Sequence, residues 1–218
     1  MYFESRSEAG TKLAAELFER YRYENCVVVA LSDGGVLIGE QIALSLHALL
    51  TMLLVENIDV PGENMNFGAV AEGGEFTYNG SFSSGEIDEY TSEYHGYLDE
   101  KKREAFQKIN RLLGDGGLIE HDMLRDHTVI LAADGLDSGA VLDAAVAFLK
   151  PIRIHRLVVA AAVASIQAVD RVHLLADELH ILDVKQNYIG TDHYFTINDI
   201  PSHEETVAKI NKIVLNWR

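Results

Sequence analysis

The sequence predicts an α/β fold: a doubly wound, mostly parallel sheet flanked by helices, with a small antiparallel β excursion. Three observations predict it. Cys26–Leu31, Val129–Ala132 and Leu157–Ala164 are continuous apolar runs, as expected of strands buried on both faces of a parallel sheet. They alternate with segments whose apolar residues recur at helical spacing. Two of them lead into glycine-bearing turns, Ser32-Asp33-Gly34-Gly35 and Asp134-Gly135-Leu136-Asp137-Ser138-Gly139. In such sheets ligands bind at the carboxyl ends of the strands, where the winding reverses.

Composition narrows the class of protein. The chain has 218 residues, 48% apolar and 24% charged, with 3 prolines. A single soluble globular domain over 1–218 is expected, with 56–84 and 86–113 as insertions. Its 18 basic and 34 acidic side chains give a formal charge of −16, which argues against nucleic acid and against an anionic membrane as partners. The single cysteine, Cys26, opens an apolar run and reads as a buried thiol in a reducing compartment. Glu4 and Arg6 stand where a secretory signal needs apolar residues. Ile42–Val55, the most apolar long stretch, contains Ser45, His47 and Thr51 and is too short and too polar to span a bilayer. A cytoplasmic location is expected.

The elements follow in order. Ser5 and Glu8 have capping-box spacing, and Ala9, Leu13, Leu17 and Tyr21 form the stripe of a first helix ending near Tyr21. After the strand Cys26–Leu31, a helix is expected over Val36–Leu50 and a strand over Met52–Val55. From Glu56 to Ser84, Pro61-Gly62, Gly68, Gly73-Gly74 and Asn79-Gly80 punctuate short strands, Phe67–Ala71 and Glu75–Tyr78 among them. One long helix is expected over Glu86–Leu113, ended by Gly114–Gly117; its Tyr90-Tyr94-Tyr97 stripe reads as packing or a homodimer face. His155–Ala164 is a strand, Ile166–Leu175 a short helix and Glu178–Leu182 the last strand. Ser202 and Glu205 open a C-terminal helix with Val207, Ile210, Val214 and Trp217 on its apolar side.

Function is expected in the central stretch Thr128–Phe148, which reads as buried strand, tight loop and helix. Helix N-terminal amides have no intrahelical partners, and glycine lets an anion approach them. The nine histidines show no His-Glu-x-x-His spacing. His121-Asp122 with Asp126-His127 reads as a surface loop rather than a metal site.

The stretch Val129-Ile130-Leu131-x-x-Asp134-Gly135-x-x-Ser138-Gly139-Ala140 resembles the phosphoribosyl pyrophosphate loop of the type I phosphoribosyltransferases. Phe3-x-x-Arg6-x-x-Ala9-Gly10-x-x-Leu13-Ala14, Leu31-x-x-Gly34-Gly35-Val36 and Phe67-Gly68-Ala69-Val70-Ala71-Glu72-Gly73-Gly74 resemble a bacterial branch of the same family. The resemblance runs over most of the chain. It implies transfer of a phosphoribosyl group to or from a nucleobase-like acceptor, so a phosphoribosyl or nucleotide small molecule is the expected partner. It makes Asp134 the acid that holds the ribose and touches the metal, and wraps Asp137, Ser138, Gly139, Ala140 and Val141 around the 5′-phosphate. Asp33, Gly34 and Gly35 would lie against the pyrophosphate, faced by Glu56-Asn57. Magnesium would arrive held largely by pyrophosphate and ribose oxygens.

The loop is degenerate against the family pattern. Ala133 replaces the first of two adjacent acids, Asp137 a small neutral residue and Val141 a hydroxyl; Asp33 and Glu56-Asn57 replace basic residues. A lost carboxylate hydrogen bond weakens binding by roughly 1.5–3 kcal/mol, tenfold to a hundredfold. Like charges about 4 Å apart repel by roughly 4 kcal/mol at an effective dielectric near 20. Reduced or lost activity is therefore expected, with Asp137 serving as either an N-cap or a ligand contact. The alternatives are a non-catalytic relative acting as ligand sensor, partner-binding or oligomer-forming module, and a loop that binds a divalent cation or a cationic small molecule.

Overall fold

In the computed structural model, residues 2–63, 65–113, 119 and 121–216 are described, with side chains through Ile213. The expected helix terminator Gly114–Gly117, the side chain of Val214 and Trp217 lie outside the described residues. The chain forms two compact units, the first comprising Met1–Leu53, Ile119–Asp137 and Ile152–Arg218, the second Leu54–Leu118 and Ser138–Pro151.

The first unit is built on a wholly parallel sheet of β1 (Cys26–Ala30), β2 (Leu49–Met52), β6 (Thr128–Leu136), β7 (Arg156–Ser165) and β8 (Glu178–Lys185), in the order β2-β1-β6-β7-β8. Winding reverses between β1 and β6, which run in register from Cys26 beside Thr128 to Ala30 beside Ala132. The apolar runs are continuous because both faces are covered: Val28, Ala30, Ile130 and Ala132 are buried on one face, and Val27, Val29, Val129 and Leu131 on the other. The first face carries α1 (Arg6–Tyr21) and α2 (Asp33–Leu46), whose Leu13, Leu17, Ile38 and Ile42 join the core cluster. α5 (His121–Leu124), α7 (Ile166–Val172) and α8 (His203–Asn216) complete the unit.

The second unit is a three-stranded antiparallel sheet of β3 (Val55–Asp59), β4 (Asn66–Ala71) and β5 (Phe76–Tyr78), with α3 (Ser84–Glu93), α4 (His95–Leu113) and α6 (Ala140–Leu149). Ala144 and Phe148 of α6 pack on Ala69 and Ala71 of β4. Tyr90 meets Phe67, Phe82 and Tyr94, so Tyr90 takes the packing role.

Several boundaries differ from the sequence reading, each for a local reason. α2 starts at Asp33 rather than Val36, because Ser32 caps it by accepting the Gly35 N–H at 2.8 Å. Glu56-Asn57 lies inside β3 of the antiparallel sheet and ends no strand of the parallel sheet; Glu56 there pairs with Lys108 at 2.7 Å. The long helix is two, because Tyr94, which caps α3, leaves helical geometry at φ −111° and ψ 21°. β6 continues through Asp134 to Leu136, since Gly135 and Leu136 still pair with Val163 and Ala164 of β7.

Candidate functional site

The carboxyl ends of β1 and β6 meet at the reversal of winding, where a ligand is expected. Asp134, 7% exposed, stands there on β6, and its two carboxylate oxygens have different donors. Ser32 Oγ donates to Oδ1 at 2.8 Å, and Arg6 Nε donates to Oδ2 at 2.7 Å. Ser32 thus caps α2 and holds Asp134 with the same hydroxyl.

Arg6 opens α1 immediately after its N-cap Ser5 and is fully buried. Nη1 reaches Asn198 Oδ1 at 3.2 Å and Asp199 Oδ1 at 3.4 Å, Nη2 pairs with Asp192, and the guanidinium lies 4.5 Å from the centre of the Phe195 ring. Burial works against its charge, yet bonding and attraction to Asp134, then to Asp192, hold its pKa above the ordinary value. Arg6 is therefore a permanent cation, and it joins α1, β6 and the segment 192–199 that leads to α8.

Glycines are dictated by this arrangement. A Cβ on Gly34 would stand 2.1 Å from Asp134 Oδ2 and 2.7 Å from Arg6 Nε. A Cβ on Gly135 would stand 2.3 Å from Tyr188 Oη and 2.4 Å from Thr191 Oγ1. Tyr188 and Thr191 share a hydrogen bond of 2.7 Å, and burial raises the Tyr188 pKa. The segment that follows β8 therefore lies directly against β6, at a position where only glycine fits.

The far side of β6 is held in the same manner. Ser165, at the end of β7, caps α7 by accepting the Ala168 N–H at 3.0 Å and donates to the Asp137 carbonyl at 2.7 Å. Asp137 itself is exposed and does not cap α6. The N-cap is Gly139, with no side-chain cap bond, because the longer β6 delays the helix to Ala140. Asp33 faces His203 of α8, 3.2 Å from its Nδ1.

In the second unit, α6 opens with Ser138 Oγ accepting the Ala140 N–H at 3.4 Å and the Gly139 carbonyl accepting from Asp143 N at 2.8 Å. Gly139 and Ala140 are buried, while Ser138 and Val141 are partly exposed. The buried Asp143 accepts the Gly80 N–H at 2.9 Å and so ties α6 to the loop after β5.

Among the described residues, no group of three or more His, Cys, Asp or Glu side chains is placed to hold a metal ion. Asp134 is poorly placed to hold magnesium, because the buried Arg6 guanidinium, 2.7 Å from Oδ2, would repel a divalent cation. Asp122, which falls in α5 rather than in the expected loop, and Asp126 pair with Arg125 at 3.1 Å and Arg153 at 3.2 Å. Cys26 is buried, and burial pushes its thiol up to about 11, which disfavours the reactive thiolate at neutral pH.

The sequence reading passed over the roles of Arg6, Ser165, Tyr188 and Thr191. For Arg6 a signal existed: it continues the stripe of Ala9, Leu13 and Leu17, and an arginine on a buried helix face requires acidic partners. Tyr188 and Thr191 carry no such pattern.

No protein-family model matches the chain. Among solved structures, TT1426 from Thermus thermophilus is 27% identical, with a TM-score of 0.71 over 100% of this chain and 99% of that one. The AQ2163 protein from Aquifex aeolicus is 11% identical, with a TM-score of 0.50 over 94% and 85%. A hypoxanthine phosphoribosyltransferase from Staphylococcus aureus is 11% identical, with a TM-score of 0.49 over 85% and 76%, a likeness that carries no inference about this chain. From its parallel sheet to the C-terminal helix, this chain shares the fold of the Thermus protein along its whole length.

Proposed function

We propose that this chain is a type I phosphoribosyltransferase-like protein that binds a phosphoribosyl compound or nucleotide at the 134–141 loop, with transfer activity reduced or lost. The observation that carries the reading is that α6 opens directly after the central strand with Gly139 at its N-cap, a residue with no side chain to cap it, and with Ser138 Oγ only 3.4 Å from the Ala140 N–H. A helix end of that kind accepts a phosphate. Ser138, Gly139, Ala140 and Val141 are the proposed 5′-phosphate contacts, with Asp137 beside them. Asp33, Gly34 and Gly35 form the first turn of α2 and are the proposed pyrophosphate side. The non-catalytic alternative is favoured by the ribose position, where Ala133 offers no acid and Asp134 is bound to Arg6 and Ser32. Magnesium enters this reading as a companion of the ligand's own oxygens. A cytoplasmic location and a homodimer belong to the same reading.

Calorimetry tests it. Ribose 5-phosphate and a nucleoside 5′-monophosphate are expected to give saturable binding without magnesium. Phosphoribosyl pyrophosphate with magnesium is expected to bind no more tightly and to release no pyrophosphate with a purine base. Absence of saturable binding by all three overturns the phosphoribosyl reading. Micromolar, magnesium-dependent binding of phosphoribosyl pyrophosphate overturns the loss of activity.

A further inference from the structure

We infer that the crevice at the carboxyl ends of β1 and β6 is an anion site filled from within: the Asp134 carboxylate is its resident anion and Arg6 the cation that retains it. The inference deepens the proposed function and depends on that reading only for the identity of the ligand shut out.

The opening turn of α2 is where an α/β sheet of this winding presents amides to an anion. Here a side chain stands at that turn, held by the N-cap hydroxyl and not by the amides, since the Gly35 N–H is itself bonded to Ser32 Oγ. Ser32, the N-cap, gives its hydroxyl to Asp134 Oδ1 at 2.8 Å, and Gly34 lies so close to Oδ2 that a Cβ there would stand 2.1 Å from it. On the other side, Arg6 Nε bonds Oδ2 at 2.7 Å, and Arg6 has no exposed surface.

Every nitrogen of that guanidinium has an acceptor, with Asp192, Asn198 and Asp199 taking the two Nη groups. A buried charge is tolerated only when paired, so Asp134 and Arg6 each hold the other in place. A phosphate entering here would meet Asp134, which has its own sign of charge. A ribose hydroxyl would have to share each carboxylate oxygen with a donor already in place. Gly34 in the glycine turn is explained by the internal Asp134–Arg6 pair. Arg6 is thus a positioning residue, and the turn of α2 beside Asp134 is closed to an external anion.

Removing only the carboxylate makes the site accept one from solution. Asp134→Ala is expected to lower the melting temperature by about 10 °C, the shift that follows loss of one partner of a buried ion pair in a chain of this size. Sodium formate, the group removed, is expected to restore several degrees saturably beyond the increment that sodium chloride at equal ionic strength gives. Asp134→Asn, which keeps the shape without the charge, is expected to be destabilised and insensitive to formate. If Asp134→Ala is recovered only as insoluble protein, the yield of refolding in formate against chloride gives the same comparison.

Equal responses to formate and chloride overturn the inference, as does an Asp134→Asn variant as stable as the parent. Formate rescue in a protein that binds no phosphoribosyl compound sustains the filled site and rejects the proposed function. Phosphoribosyl binding that Asp134→Asn abolishes at unchanged melting temperature does the reverse.

Discussion

Cys26 and Tyr21 show how burial converts single side chains into stability determinants. Burial raises the Cys26 thiol from its ordinary 9.0 to about 11; burial, then the hydrogen bond donated to Glu178, raises the Tyr21 phenol from 10.0 to about 12. Both folded values lie above the unfolded ones, so the folded chain favours the protonated forms. Their contribution is complete below pH 9.0 and is lost as pH rises through 11 for Cys26 and 12 for Tyr21. Urea midpoints are expected to be flat from pH 7 to about 9 and then to fall, and Cys26→Ala should remove the earlier part of that fall. Cys26 was legible as a buried thiol because it opens an apolar run. The hydroxyl of Tyr21 was not, because Glu178 lies 157 residues away in the sequence.

At the scale of elements, α1 and α2 are held together by a close approach. A Cβ on Gly10 would stand 2.9 Å from Ile38 Cα and 3.0 Å from Ile38 O, and backbone atoms yield less readily than a side-chain end. Alanine gains about 1 kcal/mol of helix propensity over glycine. Overpacking costs about 1–3 kcal/mol, so the clash wins. Gly10→Ala is expected to lower the melting temperature by a few degrees. Gly96→Ala in α4, where the new Cβ meets nothing within 4 Å, is expected to hold or raise it. Thermal unfolding followed by circular dichroism separates the two. The helices were readable from period, and α1 also from its cap Ser5, which accepts the Glu8 N–H; the caps Ser83 and Ser165 emerged only in the structure. Where β6 ends was not readable, because strand pairing with β7, rather than the Asp134-Gly135 turn signal, carries the strand to Leu136.

For the whole molecule, the formal charge of −16 opposes compaction through self-repulsion. The Debye length is about 30 Å at 0.01 M salt and about 8 Å at 0.15 M, so exposed like charges are decoupled over that range. The buried Arg6–Asp134 pair is screened far less. Melting temperature is therefore expected to rise as sodium chloride increases from about 0.01 to 0.15 M, the opposite of a fold held by surface ion pairs. A fall over that range, measured by calorimetry, would mean that the surface pairs dominate. The acidic total also bears on the candidate site: Glu56, which the sequence set against the ligand as a repulsive charge, is neutralised by Lys108 within the second unit.

By itself the sequence determined the alternation of strand and helix and the burial of the central strands on both faces, because these follow from local periodicity and from residues that cap or break elements. Only the tertiary structure decided what Asp134 does. Its carboxylate meets an arginine 128 residues earlier and a serine 102 residues earlier in the chain. No local pattern encodes such a meeting, since the pairing depends on strand order and on which helix end the sheet brings beside β6. The same motif is open to a ligand or closed by the chain itself according to where Arg6 falls, and here Arg6 lies on Asp134.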